Sequence, residues 1–273
     1  MNTLDQIRSV LGHDIVFTGS DTSKWNVDWT GAYKSTPLAV LRPRNTDEVS
    51  KIMKIAHQTK TPVVPVSGNT GLNGGAQAQG ELLLSLDRMN TISKIDAQGR
   101  TATVGAGVIL SNLHMATQQH DLIFPLTFGA RGSAMVGGVL STNAGGSNVL
   151  RYGNARDMVL GIEVVTANGD IMNLMGALHK DNSGLNLKHL MIGAEGTLGI
   201  ITQAVLKLFP KPKAYATAMV ATSSLETALD LLHKVQSATN GNVEAFEYMP
   251  RNYIDGHLAL YDYARPPFDT AYD

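Results

Sequence analysis

"PVVPVSGNTGLNGG", residues 62–75, leaves an apolar run and enters eleven positions, 65–75, that hold four glycines, two asparagines, a serine and a threonine. A segment so poor in side chains cannot build a core, so its backbone is what it has to offer. Successive amides flanked by small or absent side chains form a concavity that binds anions. Ser67, Asn69 and Thr70 add side-chain donors around it. A phosphate or pyrophosphate suits such a cradle, and a plain tight turn is the alternative for any one cluster taken alone. Three further clusters, "GARGSAMVGGVLSTNAGG" (129–146), "RYGN" (151–154) and "GAEGTLGI" (193–200), move the balance toward a ligand that approaches the backbone closely. On this reading Gly68 and Gly71 supply φ freedom and room for phosphate.

The flanking sequence places the loop in a β-α-β opening. "PLAVLRP" (37–43) reads as a strand, and "NTDEVSKIMKIAHQ" (45–58) as a helix with Asn45 and Glu48 at capping-box spacing. In that helix Val49, Ile52, Met53 and Ala56 fall on one face, and "TPVVPV" returns as a second strand. "ELLLSL" (81–86) and "TATVGAG" (101–107) read as strands separated by turn material around "DAQGR", and a helix is expected over Ser111–His120. "MVLGIEVVTANGDIMNL" (158–174) predicts a hairpin turning at Asn168-Gly169. "LNLKHLMIG" (185–193) predicts a short helix ended by glycine, and "GIITQAVLKLFP" (199–210) a strand. "PKPK" (210–213) marks a boundary. Beyond it "AYATAMVAT" (214–222) and "NVEAFEYM" (242–249) read as strands around a serine-capped helix, "SSLETALDLLHKVQS", with Leu225, Leu229, Leu232 and Val235 inward. The expected domains are an N-terminal helical segment (1–34), a glycine-rich domain (35–213) and the start of a second α+β unit (214–273), which "YARPPFDTAYD" leaves without a closing element.

Composition narrows the chemistry. The 273 residues are 43% apolar, enough for a large core. Lys and Arg number 22 against 23 Asp and Glu, which gives no footprint for nucleic acid or for a membrane surface. The chain has no cysteine, so disulfides, thiolate metal sites and cysteine nucleophiles are excluded. Its N-terminus carries charge in the first turns and reads as neither signal peptide nor membrane anchor, so a cytoplasmic location is expected. Neither a P-loop nor a G-x-G-x-x-G dinucleotide fingerprint occurs, and no G-x-S-x-G elbow. The eight histidines show no metal spacing: His114 and His120 are six apart on one expected helix, and His57 stands alone. No metal site is expected. Asp157 and Glu163 read as solvated or salt-bridged, whereas Glu195 sits inside a glycine cluster.

Taken in order, "PVVPVSGNTGLNGG", "GARGSAMVGGVLSTNAGG", "LRYGNARDMVLGIEVVTANGDI" and "DNSGLNLKHLMIGAEGTLGIIT" resemble the FAD-binding (PCMH-type) domain of vanillyl-alcohol-oxidase-like flavoproteins. The resemblance is closest to D-2-hydroxyglutarate and D-lactate dehydrogenases and the glycolate oxidase D subunit, and covers about residues 35–214. It implies an α+β fold: a two-lobed FAD-binding domain, then the start of an α+β substrate (cap) domain. It implies that Ser67, Gly68, Asn69, Thr70 and Gly71 hold the phosphates, with Pro65 and Val66 leading in and Leu72 and Gly74 following. Ser133, Gly137, Gly138, Ser141, Asn143, Ala144 and Gly146 would pack along the pyrophosphate and flavin. Glu195, Gly196, Gly199, Ile200 and Ile201 would meet the adenosine-ribose side and the cofactor wall. Arg151 and Tyr152 match the family's "RYG", with packing as their expected role beside a flavin-side one.

Some members of the superfamily link FAD through histidine or cysteine; the first loop has neither, so noncovalent FAD is expected. The implied reaction oxidises a D-2-hydroxy acid to the 2-oxo acid by hydride transfer to flavin N5. The electrons then pass to a quinone, cytochrome, electron-transfer protein or oxygen. No catalytic residue is assigned, because the family's histidine-rich substrate region has no counterpart up to Asp273. Two alternatives stand beside this reading: an FAD-binding module without turnover of its own, and an oxidase of sugars or aromatic alcohols. Assembly as a homodimer or as a complex subunit is compatible with each.

Overall fold

The computed structural model describes residues 2–269, so the last four residues of "YARPPFDTAYD" lie outside the described residues. Two compact units divide the chain, one built from residues up to 146 together with 154–211, the other from 147–153 together with residues from 212 on.

The first unit opens with α1 (Thr3–Leu11), β1 (Val16–Phe17), β2 (Ala39–Leu41), α2 (Thr46–Thr59), β3 (Val63–Val66) and β4 (Leu82–Ser85). These strands form a sheet in the order β1-β2-β4-β3, with β2 and β3 parallel to the central β4 and β1 antiparallel at the edge. Strand β4 is buried on both faces, as a central parallel strand must be. Leu82 and Leu84 join Val49, Ile52, Met53 and Ala56 of α2 in one core, while Leu83 packs with Trp25, Val40 and Val66 in another. The Asn45 side chain caps α2 by accepting from Glu48 N at 2.9 Å. Glu48 reaches Arg44 N at 2.7 Å instead of Asn45 N, so only half of the expected capping box forms.

A second sheet follows. Its unit contains β5 (Ile92–Asp96), β6 (Thr101–Gly105), α3 (Leu110–Gln118), β7 (Leu122–Ile123) and α4 (Val136–Ser141). After α5 (Val149–Tyr152), which belongs to the other unit, come β8 (Val159–Val165), β9 (Ile171–Leu174), α6 (Leu187–Met191), β10 (Ile200–Lys207) and β11 (Phe209–Pro210). Five strands pair antiparallel in the order β5-β6-β10-β8-β9, and β7 with β11 make a small separate ladder. Strand β5 is absent from the sequence reading, because "ISKID" is polar and only half-buried.

The β8-β9 hairpin turns at Asn168-Gly169 as expected, but with five residues, 166–170, between the strands. Thr166 N donates to Asp170 O at 3.0 Å, and of Asn168 and Gly169 only the glycine has positive φ. That turn also docks on α2, where Ser50 Oγ donates to Gly169 O at 2.6 Å. Glu163 is half-buried and makes no salt bridge among the described residues. Its Oε1 accepts from Thr46 Oγ1 in the first turn of α2, from Thr202 Oγ1 at 2.9 Å and from Gln203 Nε2 at 2.9 Å. One carboxylate oxygen thus ties the N-terminus of α2, where negative charge is favoured, to β8 and β10.

The second unit contains α5, α7 (Leu225–Ala238) and α8 (Arg251–Leu260), and no strand among its described residues. The strands expected at 214–222 and 242–249 do not form. Alternating apolar residues prepare a face for a sheet, but ladder bonds must come from a neighbouring strand. Neither segment has one, and Tyr215, Met219 and Val220 are exposed. Helix α7 is capped as expected, Ser224 Oγ accepting from Thr227 N. Of its face only Ala228 is buried, and Leu225 and Leu229 are exposed rather than inward.

Replacing Glu163 by alanine removes the acceptor of three donors, which should cost about 1–3 kcal/mol. Urea unfolding followed by far-ultraviolet circular dichroism measures this, and a change within error of zero would show that the three donors are satisfied otherwise.

Candidate functional site

Strand β3 ends at Val66, at the C-terminal edge of its parallel neighbour, where open α/β sheets place their ligands. The chain continues as the bare loop from Ser67 to Ala76. This loop forms one wall of a cleft of about 540 Å³ in the first unit; α4 with the turn after it, and residues 195–201, form the others. Pro65, Val66, Ser67, Gly68, Asn69, Thr70, Gly71, Leu72 and Gly74 line it, as do Gly137, Gly138, Ser141, Asn143, Ala144, Glu195, Gly196, Gly199, Ile200 and Ile201.

Ser133 and Gly146 are outside the lining. A Cβ on Gly68 would lie 2.3 Å from the Ser133 carbonyl oxygen, and one on Gly146 would lie 2.2 Å from that of Thr127. Both positions serve close chain-to-chain packing behind the wall, which produces the same small residues in sequence as ligand approach does. The roles of Gly68 and Gly71 also separate. Neither has a positive φ. Gly68 is required by the Ser133 carbonyl, whereas a Cβ on Gly71 would meet nothing within 4 Å. Left-handed backbone occurs instead at Asn69, Gly74, Asn143, Glu195 and Gly196.

The loop fits an anion. None of the backbone N–H groups from Gly68 to Ala76 donates a hydrogen bond among the described residues. Ser67 Oγ is buried and equally without a partner. Buried polar groups are ordinarily paired, so an unsatisfied hydroxyl beside a run of free amides marks a place where acceptor oxygens belong. No Lys, Arg or His lines the cleft. Attraction must therefore come from amide dipoles rather than formal charge.

Two carboxylates do line it. Glu195 N donates to Ser141 O at 2.9 Å, and its side chain, without a hydrogen bond among the described residues, faces Gly75 across the cleft. Asp28 accepts from Thr30 Oγ1 at 2.7 Å and Tyr33 N at 3.1 Å. The Thr30 bond foremost, and the Tyr33 amide with it, hold its carboxyl below the usual carboxylate range against the opposing effect of burial.

Asp28, with Trp25, Tyr33 and Ser35, belongs to a stretch the sequence reading did not assign to the site. "NVDWTGAYKS" shows neither strand alternation nor glycine clustering, and its only local signal is the Asp-x-Thr-Gly turn. Arg151 and Tyr152 are in the second unit and take the packing role. Arg151 Nη1 and Tyr152 OH both bond Glu244 Oε1 at 2.9 Å, and burial together with Glu244 pushes the Tyr152 phenol well up.

A cleft whose free donors are backbone amides, and whose opposite wall carries Gly137 and Gly138 of α4, suits a planar ligand carrying pyrophosphate. The sequence matches the FAD binding domain family over residues 37–175, half of the chain. The chain belongs to that family. FAD, when bound, supplies the redox chemistry in such a domain.

Among curated relatives, the D-2-hydroxyglutarate–pyruvate transhydrogenase DLD3 of Saccharomyces cerevisiae is 40% identical over 256 residues, 92% of this chain and 52% of that protein. The D-2-hydroxyglutarate dehydrogenase of Xanthomonas citri pv. viticola is 39% identical over 88% of this chain and 51% of its own length. Glycolate oxidase subunit GlcD of Bacillus subtilis is 40% identical over 78% and 46%. The chain spans about half the length of the curated relatives it matches. A solved alkyldihydroxyacetonephosphate synthase shares the fold with a TM-score of 0.73 at 21% identity, over 87% of this chain and 45% of that one. Among the described residues no helix is long and apolar enough to cross a membrane, and no cluster of His, Cys, Asp or Glu could hold a metal ion.

Two predictions follow from the loop geometry. Gly71→Val should leave the thermal midpoint nearly unchanged while weakening FAD binding by about tenfold or more, ~1.4 kcal/mol, because its side chain enters open cleft. Gly68→Val should instead destabilise the fold by about 1–3 kcal/mol through the Ser133 carbonyl. Thermal melts and fluorescence titration of apoprotein with FAD separate the two. With no cationic side chain to screen, FAD affinity should vary by less than about threefold between low and high salt; a steep salt dependence would place a cation at the phosphates.

Proposed function

We propose that the chain provides the FAD-binding part of an enzyme that oxidises a D-2-hydroxy acid, of 2-hydroxyglutarate, lactate or glycolate type, to the 2-oxo acid. The likeness to proteins named D-2-hydroxyglutarate dehydrogenase, over nine-tenths of this chain in the first of them, carries the reading. In it the amides from Gly68 to Ala76 and the Ser67 hydroxyl bind the pyrophosphate, Gly137 and Gly138 give the cofactor a flat wall, and Glu195 accepts from cofactor hydroxyls. The cofactor is held noncovalently, which the absence of His and Cys from the cleft lining supports. FAD, when bound, would supply the two-electron acceptor for the substrate's α-hydrogen, the hydroxyl proton would need a base, and a separate acceptor would take the electrons on. A cytoplasmic location, and assembly as a homodimer or complex subunit, belong to the same proposal and rest on the sequence alone.

A second reading is favoured by two observations: the chain spans about half of its relatives, and the cleft offers neither a cation for a substrate carboxylate nor a histidine for its hydroxyl proton. On that reading the chain binds FAD and turns nothing over by itself.

A visible spectrum of the purified chain should show oxidised flavin, and acid precipitation should release the colour to the supernatant; colour in the pellet would overturn noncovalent binding. Anaerobic addition of D-2-hydroxyglutarate, D-lactate or glycolate to the holoprotein should bleach the flavin. No bleaching with any of them would leave the module without turnover as the function of this chain.

A further inference from the structure

The run of free amides from Gly68 to Ala76 poses a mechanical question. A loop whose N–H groups donate to nothing among the described residues has little of its own to fix its shape beyond the turn bond from Gln77 N to Gly74 O at 3.1 Å, and a cradle must be fixed before the anion arrives if binding is not to be spent on ordering it. On one side the loop leans on the 133–138 segment, through Gly68 against Ser133 and Gly138 against Ser67. On the other it meets a small hairpin, residues 26–35.

The hairpin is independently closed. Asp28 N donates to Tyr33 O at 3.1 Å, Ser35 N to Asn26 O at 2.7 Å, and Val27 pairs with Lys34. The Asp28 carboxylate holds the tip through Thr30 Oγ1 and Tyr33 N, with Gly31 left-handed at the turn. Its two ends are anchored as well: Trp25 is buried in the core with Val40, Val66 and Leu83, and Thr36 N donates to Ala78 O at 2.8 Å.

From this rigid base the hairpin grips the loop along its length. Asn69 Nδ2 donates to Val27 O at 3.3 Å, Gln77 Nε2 to Lys34 O at 3.0 Å, and Ala78 N to Ser35 Oγ at 3.2 Å. Between these bonds the Tyr33 ring lies flush on Gly74, where a Cβ would come within 2.8–3.1 Å of three ring atoms. Two of the gripped residues, Asn69 and Gly74, have positive φ, so the grip falls on backbone bends that define the loop's curvature.

We propose that hairpin 26–35 is a clasp that holds the glycine loop in its anion-binding shape, and that Tyr33 is its principal positioning residue. The clasp precedes residue 37, where the match to the FAD binding domain family begins. The inference rests on the FAD-binding reading of the cleft only for its ligand; the mechanical claim concerns the protein without cofactor.

The test uses full-length apoprotein and two readouts: FAD affinity by fluorescence titration, and limited proteolysis by chymotrypsin after Leu72, which is exposed in the loop. Tyr33→Ala should weaken FAD binding by about tenfold and speed apoprotein cleavage in the loop by a similar factor, since a preorganised site loses both when loosened. Tyr33→Phe keeps the ring and should behave as the native protein. Unchanged cleavage in Tyr33→Ala would overturn the clasp even if FAD affinity fell, because Tyr33 would then act by direct contact alone. If Tyr33→Ala does not fold, Asn69→Gly keeps the left-handed backbone and removes the bond to Val27; faster loop cleavage supports the clasp and an unchanged rate overturns it. Failure of the native protein to bind FAD would overturn the cofactor reading, and the cleavage comparison would still decide the clasp.

Discussion

An anion site made of backbone amides depends on those amides having nothing else to do. The N–H groups from Gly68 to Ala76 donate to nothing among the described residues, and the neighbouring features of the first unit answer the question of how a loop with so few bonds of its own stays in place. Strand β3 delivers it at the edge of a parallel sheet whose central strand is buried on both faces. Behind it stand the Ser133 carbonyl and the first turn of α4, which approach so closely that Gly68 and Gly138 cannot carry large side chains. In front stands the 26–35 hairpin. The loop is soft chain between hard supports, and the supports are where the folding energy is invested.

Much of this was legible because the supports follow simple rules. Helix α2 could be read from Asn45 and the Val49, Ile52, Met53, Ala56 face, the β8-β9 hairpin from Asn168-Gly169, and β4 from an uninterrupted apolar run. The cradle itself was legible as glycine density. What glycine density does not reveal is the identity of the approaching group. At Gly71 it is open cleft, at Gly68 a carbonyl of the same chain, at Gly74 an aromatic ring, and at Gly196 the Pro65 ring. Ser133 and Gly146 belong to the same sequence cluster as Gly137 and Gly138 and yet lie outside the cleft lining, where the close approach is to backbone of the same chain.

The parts that were not legible share a different cause: each depends on a distant partner. Strand β5 is polar and exists because β6 pairs with it, while "AYATAMVAT" is apolar and lacks such a neighbour. Glu163 carries no local mark of its role; its three donors come from α2 and from β10, about 40 to 117 residues away along the chain. Tyr33 and Asp28 enter the site because a turn closed by Thr30 and Gly31 happens to stand over a loop forty residues further on.

The charge distribution of the cleft separates two tasks that flavoproteins must combine. Binding FAD requires offsetting the charge of a pyrophosphate, and among the described residues the lining offers amide dipoles for this and no lysine, arginine or histidine. Binding and deprotonating a hydroxy acid requires a cation for the carboxylate and a base near neutral pK, and dipoles serve neither purpose well. A cleft whose free donors are amides and the Ser67 hydroxyl, with Asp28 and Glu195 as its carboxylates, is therefore suited to a pyrophosphate and poorly suited to a hydroxy acid. On the proposed reading, groups that recognise substrate would have to come from outside that lining, so binding of FAD and turnover of a hydroxy acid can be measured one without the other.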